Sequence, residues 1–334
     1  MLFRSADGTV LTEEDDPQRF SFRLYLGKED ETTLSPAYMQ EYFVKNAAGE
    51  YCIWDEPTGS FVSLGTSTYA EIPSNMQEAA SFVTSPTGAI SKIPVGYTVE
   101  VRDLLVGTHF KVEERADEIP NGYKLVGYDR VDASYIVEDG DIVNEGTVRD
   151  NSDPSIKVTN QQGWGITAVK EWSDKAFTKT HDDIQMAVFA GGVLVPGTLK
   201  TMASGTSTLY WYFEDLLPEK TFADYEVREV KVEGDDVIPY ESGQTLQVGA
   251  LLPEENDFAP FTYSVSYEKG SAQGTVGNVR TDKVINTRDG IRIVKTDLNG
   301  APLAGASFTI TDSEGQPVGS ASYTSAANGL VTIA

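Results

Sequence analysis

Ile166-Thr167-Ala168-Val169-Lys170-Glu171-Trp172 has the period of an extended strand, in which successive side chains point to opposite faces. One face carries Ile166, Ala168, Lys170 and Trp172, so a lysine points where core residues belong. Burying an ammonium is costly unless it is paired or put to chemical use. Further along, Tyr225-Glu226-Val227-Arg228-Glu229 sets Glu229 on a face with Tyr225 and Val227, and Val284-Ile285-Asn286 sets Asn286 with Val284. An amine, a carboxyl and a carboxamide are thus directed from three strands into one core.

Parts of this trio recur on either side. Glu114 shares a face with Phe110 and Val112, Asn160 with Ile156 and Val158, and Lys295 with Ile291 and Ile293. Lys170 follows Asn160 by ten residues and Lys295 follows Asn286 by nine, which marks the same seam twice. The chain therefore reads as tandem domains over 1–162, 163–288 and 289–334, the last too short to close a core of its own. Matching strands are Phe20–Leu26, Ile184–Phe189 and Ala306–Ile310, each followed by a Gly-containing turn at 27–30, 190–192 and 312–315. Residues 34–92 have no counterpart in the second domain and read as an insertion of hairpins with one short helix near Ser74–Ala80. After it the first domain resumes at Tyr97–Val101, the match of Tyr210–Phe213.

Thirty Gly, sixteen Tyr and fourteen Phe, with short Val/Thr/Tyr-rich runs between Asn, Asp, Gly and Pro clusters, predict an all-β fold of Ig-like sandwiches. The 51 acidic against 26 basic residues, a formal charge of −25, argue against nucleic acid or an anionic membrane surface as partner. One cysteine, Cys52, leaves no intrachain disulfide, so a secreted role needs another staple. Met1-Leu2-Phe3-Arg4 begins no signal peptide, and no run is long enough to span a membrane. The chain is expected to be a fragment of something longer at both ends, with no membrane insertion of its own.

In their order and repetition these residues resemble the B-type domains of the collagen-adhesin family, found in surface adhesins and pilins of Gram-positive bacteria. Ala168–Trp172 resembles that family's opening strand, Tyr225–Glu229 its glutamate strand and Val284–Thr287 its closing strand. Phe110 to Tyr123, ending Pro120-Asn121-Gly122-Tyr123, resembles the pilin E-box, with extra residues between glutamate and proline. Ile293–Asp297 with Leu303–Phe308 resembles the start of another such domain, here truncated. The resemblance implies an intramolecular isopeptide bond between Lys170 and Asn286, catalysed once per molecule by Glu229, with no cofactor and no turnover. It also implies a stalk or backbone segment of a cell-surface adhesin or pilin, outside the cell, whose partners are neighbouring domains of the same longer chain, other pilin subunits or host extracellular matrix. The residues permit the chemistry: desolvation lowers a lysine's pKa toward the neutral amine that attack requires, and a carboxyl in the same dry setting can relay protons.

In domain one Glu114 stands at the equivalent catalytic position and Asn160 at the acceptor position, but no lysine occurs before Lys28. Either the lysine lies just upstream of Met1, the preferred expectation, or this domain never had the bond. Lys295 is the other half-site, a free amine with no partner before the chain stops. His109 and His181 sit by turns and read as surface residues, giving no support to a Ser/His/Asp triad. The acidic runs Glu138–Asp141 and Asp150–Asp153 read as solvated turns, without the spacing of a calcium loop. Cys52 reads as a half-buried strand residue, with a thioester to Gln40 or Gln77 the minor alternative. A second functional class stays open, a module binding host matrix or glycan in which Tyr51, Trp54 and Phe61 of the insertion present an aromatic patch.

Overall fold

The computed structural model describes residues 2–4, 10–11, 18–28, 33–130, 144–150, 153–176, 178–252, 257–274, 276–288, 291–311, 314–317, 322–327 and 329–333. The run Glu138–Asp141 lies outside the described residues, as do Asn151 and Ser152. The fold is all-β. Among the described residues the one α-helix is the single turn Gln77–Ala80, inside the stretch read as helical, and no helix is long and apolar enough to cross a membrane.

The chain divides into two compact units: residues 1–166, 211–218 and 272–280 form one, and residues 167–210, 219–271 and 281–334 the other. The first contains two main sheets. One orders the strands Tyr123–Arg130, Ile156–Gln162, Leu2–Arg4 and Val10–Leu11; the other orders Glu145–Thr147, Thr108–Glu114, Arg19–Lys28 and Ser35–Pro36, with Ala89–Pro94 also paired to Arg19–Lys28. Alternation in Arg19–Lys28 buries Phe20, Phe22 and Leu24 against Ile93, Phe110 and Val158. Full burial of each such side chain is worth roughly 1.5–3 kcal/mol.

The insertion is narrower at its base than the sequence suggests. Ser35–Pro36 and Ala89–Pro94 both pair with Arg19–Lys28 and so belong to the main sheet. At the junction Gly88, at φ +73°, accepts a hydrogen bond on its carbonyl from Leu24 N–H, and a Cβ there would meet Leu24 O at 2.3 Å, so only glycine fits. At the far side the expected resumption at Tyr97–Val101 goes differently. Its strand Thr98–Glu100 pairs with Glu41–Lys45, inside the insertion's own three-stranded sheet.

The insertion also has its own small core of Phe43, Tyr51, Ile72 and Ala80. This corrects the expected aromatic patch. Tyr51 is 1% exposed, its ring edge-on to Phe43 and its hydroxyl bonded to Glu100. Trp54 packs edge-to-face on Phe61 under Arg19, and Phe61 turns toward Phe82 and Tyr97. Tyr51 thus serves the insertion's own core, while Phe61 packs half-buried against the main core of the first unit and Trp54 stays half-buried. Cys52 is buried at the start of Cys52–Asp55, and the amides of Gln40 and Gln77 donate to the backbone carbonyls of Glu41 and Ile72.

The second unit repeats the plan. One sheet orders Thr180–His181, Thr245–Leu251, Ala259–Glu268, Val279–Arg288, Trp164–Trp172 and Thr208–Phe213; the other orders Val193–Leu194, Ile184–Ala190, Tyr225–Glu233 and Asp236–Pro239. Register makes the repetition specific: Glu114 stands opposite Phe22 across its antiparallel pair, and Glu229 opposite Met186. Beyond residue 290, Ile291–Val294 pairs antiparallel with Leu330–Ile333, while the expected strand Ala306–Ile310 shortens to Ser307–Phe308, paired with Tyr323–Thr324.

Candidate functional site

In the second unit the opening, glutamate and closing strands bring their three polar groups together. Ile166, Ala168 and Lys170 are all buried on one face of Trp164–Trp172, and Tyr225, Val227 and Glu229 on one face of Tyr225–Glu233. Lys170 Nζ donates to Glu229 Oε2 at 2.7 Å, and Asn286 Nδ2 faces Glu229 Oε1 at 3.4 Å. The lysine side chain is 0% exposed and the glutamate side chain 2%. One carboxyl thus addresses an amine with one oxygen and a carboxamide with the other. Burial pulls the Lys170 pKa down to about 8, against the opposing pull of Glu229. Trp172 covers the amine, with Nζ 4.5 Å from its ring centroid.

In the first unit the same two sheets bring Glu114 and Asn160 together. Asn160 Nδ2 donates to Glu114 Oε1 at 2.7 Å, with Asn160 0% and Glu114 7% exposed. Glu114 Oε2 and Asn160 Oδ1 are buried and have no hydrogen-bond partner among the described residues. Burial raises the Glu114 pKa to about 7, moderated by the bond from Asn160. Lys295 is not brought to a carboxyl or amide side chain among the described residues; its Nζ donates to Thr296 O at 2.9 Å.

A second buried cluster escaped the sequence reading and overturns one of its expectations. His181, read as a surface residue, is only 9% exposed. Its short strand Thr180–His181 pairs with Thr245–Leu251, which lays the imidazole flat on Trp172, ring centroids 3.7 Å apart and planes 4° from parallel. His181 Nε2 lies 2.9 Å from Asp174 Oδ1, while Asp174 Oδ2 accepts from Tyr263 at 2.8 Å, Thr178 at 2.9 Å and Arg288 at 3.4 Å. His109 sits in a strand just after the turn at 106–107, as expected, but is half-buried and not a surface residue. The only sequence signal for the cluster was Asp174 two residues past a core-facing tryptophan.

Burial alone would raise the Asp174 pKa, but the bonds from His181, Tyr263 and Thr178 outweigh it and hold it near about 2. A depressed carboxyl pKa stabilises the fold above the unfolded value near 4 and loses that contribution as pH falls toward 2. Asp174→Ala orphans the Tyr263 hydroxyl and the Arg288 guanidinium, so it is expected to cost about 2–4 kcal/mol at pH 7. The deficit relative to wild type, measured by denaturant unfolding, shrinks toward pH 2.

The family model described as SpaA, prealbumin-like fold domain, matches residues 289–334. Among curated proteins none matches the sequence. Solved structures that the chain resembles include a streptococcal ancillary pilin, at 11% identity and TM-score 0.22, covering 84% of this chain and 60% of that one. The full-length RrgB pilus protein of Streptococcus pneumoniae is similar at 11% identity and TM-score 0.22, over 85% of this chain and 67% of that one. A C-terminal fragment of the pilus adhesin SpaC from Lactobacillus rhamnosus GG is similar at 11% identity and TM-score 0.18, over 89% and 99%. These TM-scores mean loose overall superposition, and the chain spans under two thirds of the ancillary pilin's length.

Proposed function

We propose that Lys170 and Asn286 join as an intramolecular isopeptide bond, that Glu229 promotes the reaction, and that the chain is a stalk segment of a cell-surface adhesin or pilus. The observation that carries this reading is the single buried carboxyl held between a lysine amine and an asparagine amide. The SpaA-type match at residues 289–334 supports the surface-stalk part.

The chemistry follows from the geometry. A proton passes from Nζ of Lys170 to Glu229, leaving a neutral amine and a carboxylic acid in a water-excluded interior, where the neutral pair is favoured relative to water. A protonated Glu229 donates where it previously accepted, so Asn286 turns its Oδ1 toward the acid and its carbonyl carbon becomes electrophilic. The amine attacks that carbon, the carboxyl gives its proton to the departing nitrogen and takes one from the attacking nitrogen, and ammonia leaves behind a neutral amide. Folding supplies the proximity, which is why one slow chemical event per molecule suffices. The product ties the opening strand to the closing strand of the same sheet. A pull on these two strands then travels through the bond and leaves the intervening strands unloaded.

Intact-mass measurement of the purified chain tests this. The wild type is expected to weigh one ammonia less than its sequence, and Glu229→Ala to restore the full mass. A wild type at full mass would mean that Lys170 and Glu229 are a structural ion pair, and the stalk mechanism would fall.

A further inference from the structure

We propose that His181 is a positioning residue for the joining of Lys170 to Asn286: stacked on Trp172, it fixes the indole that walls the Lys170 amine. Asp174 anchors the imidazole in turn. The inference rests on the reading of Lys170, Asn286 and Glu229 as a reacting trio, and it stands on three observations.

The amine has an aromatic wall, and the wall needs a backing. Lys170 Nζ lies 4.5 Å from the centroid of the Trp172 ring. Trp172 comes two residues later on the same face of Trp164–Trp172 but is only half-buried. A half-buried indole swings away unless something holds its second face. The imidazole of His181 does so, with ring centroids 3.7 Å apart and planes 4° from parallel. A ring stacked that closely fills one face of the indole, so the amine takes the other. Tyr263 closes the edge, its ring 5.1 Å from that of Trp172 and at 75° to it.

The backing is itself pinned. His181 belongs to a two-residue strand, and its direction comes from Asp174 Oδ1, 2.9 Å from Nε2. Asp174 Oδ2 accepts from Tyr263 and Arg288, which stand opposite each other in the pair of strands Ala259–Glu268 and Val279–Arg288. Asn286 comes two residues before Arg288 and on the same face. The carboxylate that orients the imidazole therefore also ties the chain just past the amine's strand to the acceptor's strand. Ser173 reinforces the tie: its N–H donates to Asn286 O at 3.0 Å, and its Oγ accepts from Arg288 N–H at 2.8 Å.

Both devices serve one requirement. Attack on Asn286 needs Nζ held at one angle and kept from water, and ordering a long lysine side chain is costly in entropy. Glu229 Oε2 fixes the amine from one direction at 2.7 Å, and the indole face removes the room in which it would otherwise turn away. With the imidazole gone, the indole rotates into the space left behind and Nζ keeps the carboxyl as its one restraint. His181 and Asp174 exchange no atoms in the step. The bond made is Lys170 Nζ to Asn286 Cγ, the bond broken is Cγ–Nδ2, Glu229 carries the proton and ammonia is released.

The test follows ammonia loss by intact mass in the full chain, pulse-labelled during cell-free synthesis, with the folded fraction read by circular dichroism. Folded His181→Ala is expected to lose ammonia roughly ten- to a hundredfold more slowly than wild type. His181→Phe restores a flat ring without the bond to Asp174, so it is expected to react near the wild-type rate while being less stable. Trp172→Leu is expected to be slow, and no slower when His181→Ala is added, because both remove the same wall. A merely structural His181 gives another pattern, in which both His181 variants unfold more easily and the folded fraction reacts at the wild-type rate. That result would overturn the proposal and leave the Lys170–Asn286 bond standing. Equal slowing in folded His181→Phe and His181→Ala would overturn the stacking argument. Should His181→Ala not fold, Trp172→Leu against His181→Phe decides, and equal rates there overturn the proposal. A wild type that loses no ammonia would sink the reaction and this role with it.

Discussion

The double variant Lys170→Met, Glu229→Gln is expected to unfold its second unit on the order of 5 kcal/mol more easily than the wild type. The proposed cross-link would close a loop of about 116 residues, and the chain-entropy relation used for disulfides gives that magnitude for such a loop. Both replacements keep shape while removing the amine and the acid, so the difference reports the covalent bond and little else. Glu229→Ala alone forms no bond either, but it leaves the Lys170 amine buried without its carboxylate. A buried pair broken from one side costs about 3–5 kcal/mol if the remaining charge persists. Here the amine has an escape. Its pKa is already lowered to about 8 by burial, and removing Glu229 takes away the group that opposes that shift, so the lysine sheds its proton instead. Glu229→Ala should therefore be less stable than the double variant at pH 7. Its folded lysine binds protons more weakly than its unfolded one, so the gap narrows as pH rises toward 10. Denaturant unfolding followed by the fluorescence of Trp172 at pH 7 and pH 9 measures all three. If wild type and double variant unfold together, no cross-link is present.

How much of this was legible beforehand depends on what each residue needed. Lys170, Glu229 and Asn286 could be read because strand period is local: a polar residue at even spacing from core residues must face inward, whatever the rest of the fold does. Their convergence on one carboxyl is tertiary, and only the paired sheets show it. The Asp174 cluster was hidden for the opposite reason. Asp174 and Thr178 lie in a connection and His181 in a two-residue strand, too short to have a period that betrays its direction, and their partners Tyr263 and Arg288 are about 90–115 residues away from Asp174. Tyr51 misled because aromatic residues in a polar insertion look like a binding face; the insertion instead closes a core of its own around it. Thr98–Glu100 misled because alternation gives a strand's faces and says nothing about its neighbour, and its neighbour proved to be Glu41–Lys45.

Glu114→Gln is expected to stabilise the first unit at pH 8 by up to about 3.5 kcal/mol and to leave it nearly unchanged at pH 4. The Glu114 carboxyl binds its proton more tightly folded, with a pKa of about 7, than unfolded, where it sits near 4.5. Below the unfolded value both states are protonated, and the carboxyl contributes its full stability. Between the two values the folded state holds the extra proton, so stability falls as pH rises, and above 7 the whole loss is in place. Two and a half pKa steps at about 1.4 kcal/mol each give the magnitude. Glutamine keeps the acceptor for Asn160 Nδ2 and offers a donor toward the unpartnered Asn160 Oδ1, so the variant has nothing to lose on deprotonation. Taking the difference between wild type and variant cancels the titration of the other acidic residues of a chain with formal charge −25. Calorimetry at pH 4 and pH 8 decides it: a wild-type deficit of equal size at both values would make Glu114 an ordinary carboxylate. A deficit confined to high pH would show a first unit that gives up stability to keep an acid neutral in its core.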